Sequence, residues 1–207
     1  VRLSGSLKEE VLTEAHEHTK ALMVALLTIS RRVPPSEEEE IILDTALKIL
    51  YEKFDGVPLI SDLSQVIAEK PTALRNAVLD RGDDERYADS TDGLRKSLNG
   101  LMSGGPLGTM FSRHTRPEDK FDITRSCVFD LSAISDTLPA QQAAGLLASW
   151  STGFAGVKVA QILADAGLEP RRNYNVVLDE LWRALRIGRG IVDRADSLTR
   201  LNRHEVV

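Results

Sequence analysis

SCVFDLS, residues Ser126 to Ser132, is the stretch on which the fold turns. Cys127, Val128, Phe129 and Leu131 make a short apolar run broken only by Asp130. A run of this length, without helical spacing, suits a strand buried on both faces. A long helical segment follows, starting near Pro139 and ending at Gly167, with Leu147, Trp150, Phe154, Val157 and Ile162 as its apolar stripe. Proline in the first turn and glycine just past the last fit the asymmetry of helix ends. After it comes YNVVLDE, a second apolar run. Strand, helix, strand in this order predicts two parallel strands, 126–131 and 174–178, joined by a right-handed crossover.

Upstream, residues 1–120 read as helical. Leu12, Ala15, Thr19, Leu22, Leu26 and Ile29 recur at helical spacing, and Ser6 with Glu9 forms a capping-box pattern. Pro34-Pro35 ends that helix, Ser36 caps the next, and Glu39 stands at its third position. The run Glu37 to Glu40 belongs in a first turn, where carboxylates favour the positive end of the helix dipole. Ile41, Leu43, Leu47, Leu50 and Phe54 continue this second helix. Shorter helices are predicted over 61–69, 71–80 and 90–102, with DRGDDERYADSTD between the last two as an exposed loop. Gly104-Gly105-Pro106 is a helix stop. The expected organisation is an all-helical subdomain over 1–120 and part of an α/β core over 121–207.

The chain has 207 residues, 42% of them hydrophobic and 28% charged, as in ordinary globular proteins. A net charge of -5 argues against a generally basic, nucleic-acid-binding surface. The single cysteine, Cys127, excludes an internal disulfide and fits a reducing compartment. No apolar run approaches the roughly 20 residues of a membrane span. Val1 at the start and LNRHEVV at the end read as the limits of a piece cut from a longer protein.

The second strand carries the chemistry. NVVLDELWRAL, Asn175 to Leu185, ends an apolar run on two adjacent acids, Asp179 and Glu180. In nucleotidases that hold phosphate in a glycine-rich loop, such a strand end places one acid on magnesium through water. A second acid beside it polarises the attacking water. The plainer reading is a helix that starts with acids. The motif G-x-x-x-x-G-K-[ST] is absent from the sequence. Gly104 to Gly108 (GGPLG) and Gly188 to Gly190 (GRG) read as turns. The chain by itself is therefore expected to be inactive, with the phosphate loop upstream of Val1 if the acids are catalytic.

LNGLMSGGPLGTMF, CVFDLSAIS, AAGLLASWSTGF and RRNYNVVLDELWRAL, with DRADSLTRLNR after it, together resemble the TraC-like ATPases of conjugative type IV secretion systems, in their actinobacterial and Gram-positive form. The resemblance covers most of residues 90–205. It implies a partial RecA-like core of the P-loop NTPase class carrying a large helical insertion, with residues 174–178 as the Walker B strand. It further implies ATP and magnesium as cofactors, Asp179 as the magnesium ligand and Glu180 as the catalytic acid. Asp130 matches a strand-end position for which a structural turn is the favoured role. Arg200 and Arg203 are candidates for the arginine that reaches into a neighbour's nucleotide site. The implied setting is a cytoplasmic ring of identical subunits, peripheral at the inner face of the membrane beside other secretion components, with DNA as a further candidate partner. Two rival readings are a non-enzymatic helical docking module and a DNA-pumping coupling-protein ATPase.

Other polar groups read as structural. Glu14 and His18 lie four apart on a helix and offer a possible metal pair, but two ligands do not make a site, and a solvated face is the reading taken. His114 and His204 are isolated. Cys127 reads as a buried small hydrophobe, and Trp150 and Trp182 as packing residues. Arg171-Arg172 is too sparse a basic cluster to support a claim of DNA binding.

Overall fold

The computed structural model describes residues 5–54, 56–103, 105–175 and 177. Among them the chain is helical, with six α-helices, one 3-10 turn and no strand. The helices are α1 (Ser6–Arg31), α2 (Glu37–Lys53), α3 (Ile60–Ala68), α4 (Thr72–Val78), α5 (Asp84–Met102) and α6 (Pro139–Asp165), with the 3-10 turn at Pro117–Asp119.

The expected α/β core with parallel strands 126–131 and 174–178 is not formed, so no RecA-like sheet exists among the described residues. Residues 126–131 run as irregular chain, with Val128 90% exposed and Cys127 exposed instead of buried. Tyr174, Asn175 and Val177 are likewise outside any strand, and Val177 is 87% exposed. Residues 176 and 178 lie outside the described residues. The physical reason is that a strand needs a hydrogen-bonded neighbour before an apolar run can bury. Here the neighbouring surface is a helix. Asp130 does make the turn expected of it, its Oδ1 accepting from the Ser132 amide at 2.8 Å.

The helices form largely where the local signals say, with two adjustments. Ser36 caps α2 and accepts from the Glu39 amide at 3.2 Å, while the Glu39 carboxylate accepts from the Ser36 amide at 2.9 Å. This is the reciprocal box read from the sequence. Ser6 does not cap α1, because it is already the first helical residue behind Gly5. The start of α5 lies at Asp84, six residues before the expected one, because Asp83 caps it by accepting from the Glu85 amide at 2.9 Å. The segment DRGDDERYADSTD is therefore largely helix. It buries Tyr87 and Thr91 ahead of Leu94, Leu98 and Leu101, a 4-3-4-3 spacing along one face. Helix α6 starts on Pro139 and closes at Gly167, whose φ of 71° lets the Leu168 amide reach back to Leu163 and the Gly167 amide to Ala164, both at 2.9 Å.

One aliphatic core joins the elements. Leu26 and Leu27 of α1, Ile42, Leu43 and Leu47 of α2, Leu63 and Ile67 of α3, and Leu74 of α4 meet Leu94, Leu98 and Leu101 of α5. Ala144 and Leu147 of α6 join the same cluster, and α6 lies along α1. Each such leucine or isoleucine contributes roughly 1.5–3 kcal/mol on burial. Among the described residues no helix is long and apolar enough to cross a membrane.

Candidate functional site

Helices α1 and α2 bring together a polar cluster that the sequence does not announce. His16 and Lys20 stand one turn apart on α1, and Asp44 and Lys48 one turn apart on α2. The seam between the helices closes on the Asp44 carboxylate. Its Oδ1 lies 2.8 Å from His16 Nε2 and 3.4 Å from Lys20 Nζ, and its Oδ2 accepts from Lys48 Nζ at 2.6 Å. A turn further along, the hydroxyls of Thr19 and Tyr51 lie 2.8 Å apart, and the Tyr51 ring meets the His16 ring edge-on. Burial by itself would raise the Asp44 carboxyl. Hydrogen bonds from Lys48 and His16, with the charges of Lys20 and Lys48, outweigh it and hold Asp44 far below the usual carboxylate range.

His16, Glu17 and Asp44 also lie close enough for one ligand atom from each to reach a common metal ion. The chemistry of the donor set runs against it. Both Asp44 oxygens already face ammonium groups, and a divalent ion would have to displace Lys48 and sit beside Lys20. The cluster is complete as a helix–helix clasp. The pair singled out from spacing, Glu14 and His18, forms an ion contact of 3.1 Å along α1 itself. It includes neither Asp44 nor His16, the residues that build the seam. The signal in sequence was the two i,i+4 pairs, His16/Lys20 and Asp44/Lys48, which become meaningful only once the helices are placed side by side.

A second charged group surrounds the turn between α4 and α5. Arg75 donates to Asp80 at 2.8 Å and also to Asp84, and Lys70 meets Asp84 at 2.9 Å. The Arg75 hydrogen bond to Asp84 comes first among the effects that raise the guanidinium, and bonds from Lys70 and Arg75 hold Asp84 low. Lys70 and Arg75 both approach the Tyr87 ring, at 5.9 and 5.6 Å from its centre. Beside them is an open hollow of about 520 Å³ lined by Thr72, Arg75, Asn76, Leu79, Asp80, Arg81 and Gly82. It holds no set of converging, unpaired donors, since Arg75 and Asp80 already satisfy each other and Asp80 Oδ1 accepts from the Gly82 amide at 3.0 Å.

The residues expected to carry nucleotide chemistry, Asp179, Glu180, Arg200 and Arg203, lie outside the described residues. So does Trp182, whereas Trp150 is buried on α6 as expected of a packing residue. Comparison with protein-family models, with curated proteins and with solved structures finds no match.

Proposed function

We propose that this chain belongs to an ATP-hydrolysing motor subunit of a conjugative DNA-transfer or type IV secretion apparatus and supplies helical structure together with the acids of the nucleotide site. The observation that carries the proposal is NVVLDELWRAL, an apolar run delivering Asp179 and Glu180 side by side. In this reading Asp179 holds magnesium through water, and Glu180 takes the proton of the attacking water. ATP and magnesium are the cofactors, and the phosphates need a G-x-x-x-x-G-K-[ST] loop, a motif that these 207 residues do not contain. Arg200 and Arg203 follow the acids at a separation that suits a role across a subunit boundary. The working form is a ring of identical subunits at the inner face of the membrane, beside other secretion components.

The test is magnesium-dependent ATP turnover by the complete gene product and by its Glu180→Gln variant. Loss of a water-positioning acid lowers kcat by roughly 100-fold or more while nucleotide still binds. Equal turnover in the two proteins overturns the catalytic assignment.

One observation favours a second, non-enzymatic reading as a docking module. The only regular structure among the described residues is helical, with no strand, and their charged clusters are satisfied within the helical body. Turnover in the complete gene product that is absent in Glu180→Gln excludes that reading, whereas a coupling-protein ATPase would give the same turnover.

A further inference from the structure

Two glycines of α6 form seats for the segment that precedes it. Phe121 Cε1 lies 3.0 Å, and Ile123 Cδ1 3.3 Å, from where a Cβ on Gly156 would stand. At the other end, Ile134 Cδ1 and Leu131 Cδ2 come within 3.2 and 3.3 Å of the equivalent point on Gly145. Residues 121–134 therefore run antiparallel to α6 as a strap, its early end on the later glycine and its late end on the earlier one. At both seats a Cβ would press on the apolar groups, which would have to give by a few tenths of an ångström.

The strap is longer than the gap it crosses. Eleven residues separate Gly145 from Gly156, about 16 Å along a helix. Eight residues separate Ile123 from Leu131, and extended chain of that length reaches up to about 27 Å. The excess chain bows away from the helix, which accounts for the 90% exposure of Val128 and the exposure of Cys127 in an otherwise apolar run. Phe129 folds back from the bow onto Phe121, with ring centres 5.7 Å apart.

The two ends are held differently. At the late end Gln142 of α6 donates to the Ile134 carbonyl at 3.0 Å and to Asp136 Oδ1 at 2.9 Å, in addition to the apolar seat. At the early end the hydrogen bonds are local to the strap, with Thr124 bonding back to Asp122 at 2.9 Å, and from outside the strap the charge of Arg172 acts on Asp122. Phe121 and Ile123 rest on Gly156 by apolar contact. Both are only half-buried.

We propose that residues 121–134 are a one-sided latch on α6, opening from the Phe121 end while the Ile134 end stays anchored. The slack at Cys127–Asp130 lets one end lift without pulling on the other, and Gln142 sets the hinge. Opening frees Phe121 and Ile123, with Phe129 packed on Phe121, from the helix without disturbing the leucine core, which draws on residues outside the strap. A segment with few buried contacts and an exposed backbone opens locally, well below the cost of global unfolding.

The test is native-state cleavage by trypsin after Arg125 in the 207-residue chain, followed by mass spectrometry, with helix content monitored by circular dichroism. Under conditions where opening is fast, the cleavage rate tracks the open population. Phe121→Ala removes the seated ring, and Gly156→Val pushes it off from the helix side. Each raises the rate about tenfold at unchanged helix content. Gln142→Ala changes cleavage after Arg125 less than twofold, because it loosens the far end. Equal acceleration by Gln142→Ala overturns the one-sided latch. So does wild-type cleavage already at the rate of an unstructured peptide, or no acceleration in either of the first two variants.

Discussion

Arg31 grips Glu39 with both terminal nitrogens, Nη1 to Oε1 at 2.7 Å and Nη2 to Oε2 at 2.6 Å, and the same Nη1 donates to Ser97 Oγ at 3.1 Å. One guanidinium thus ties the end of α1 to the start of α2 and to α5. Glu39 simultaneously closes the capping box on Ser36, so one carboxylate caps the start of α2 and ties it to α1. The Arg31 hydrogen bond lowers the Glu39 carboxyl below its ordinary value against the opposing effect of burial.

Replacing Glu39 by Gln should therefore lower stability by about 1–2 kcal/mol, the usual size for a fork-type pair with limited exposure. The pH dependence follows from the direction of the shift. A carboxyl lowered on folding adds stability that is complete above its unfolded value, about 4.3, and disappears as pH falls through the lower folded value. Urea titrations of wild type and Glu39→Gln should differ at pH 7 and draw together below pH 4. A constant difference across that range would count against the pair.

Asp44 makes a parallel but separable case. With hydrogen bonds from His16 and Lys48 and Lys20 close by, its ionised form is strongly favoured in the folded chain. Asp44→Asn should cost about 2 kcal/mol at neutral pH, mainly by stripping charge from a seam that keeps two lysines. The expected signature is non-additivity. The double variant Asp44→Asn/Lys48→Met should be less destabilised than the sum of the singles, measured by chemical denaturation. Strict additivity would show that Lys48 only shares the surface with Asp44.

These pairings also show what could and could not be read from the chain. Caps and stops are local, and Ser36/Glu39, Pro139 and Gly167 gave the ends of α2 and α6 directly. The link between His16 and Asp44 crosses 28 positions and has no local mark. SCVFDLS failed for a related reason. An apolar run does not say what will cover it, and in the described fold only Leu131 at its end rests on a helix while Cys127 and Val128 stay exposed. The start of α5 was hidden by its acids, Asp83 to Glu85, which read as loop although they are capping residues. The Tyr87-Thr91-Leu94-Leu98-Leu101 spacing was present throughout and outweighs the polar composition of the segment.

Tyr87 offers a sharper probe of that misread segment. Its hydroxyl donates to the Ile67 carbonyl at 2.7 Å, joining α5 to the end of α3, and the residue is 2% exposed. Tyr87→Phe keeps the ring and removes the shorter of the bonds to a carbonyl that then keeps the Lys70 amide at 3.3 Å, so a loss of about 1 kcal/mol is expected by thermal or urea unfolding. Serine at the same place should cost much more, since it also empties the ring's volume. If phenylalanine were neutral, the hydroxyl would not be holding α3 to α5.

Leu79 should be improvable. It ends α4 in the left-handed region, with φ 53°, its amide bonding to Asn76 and that of Asp80 to Arg75. This is the same reversal that Gly167 makes after α6, built here on a residue with a Cβ. The left-handed conformation costs an ordinary residue roughly 1–2 kcal/mol, and glycine avoids it at a backbone entropy cost of roughly 0.5–1 kcal/mol. Leu79 is 75% exposed, so almost no packing is lost on replacement. Leu79→Gly should thus raise stability by about 0.5–1 kcal/mol, while Leu79→Val, with a branched Cβ in the same conformation, should lower it. Melting temperatures of the two variants moving in opposite directions would establish the strain. Equal shifts of the same sign would place the effect in the unfolded chain.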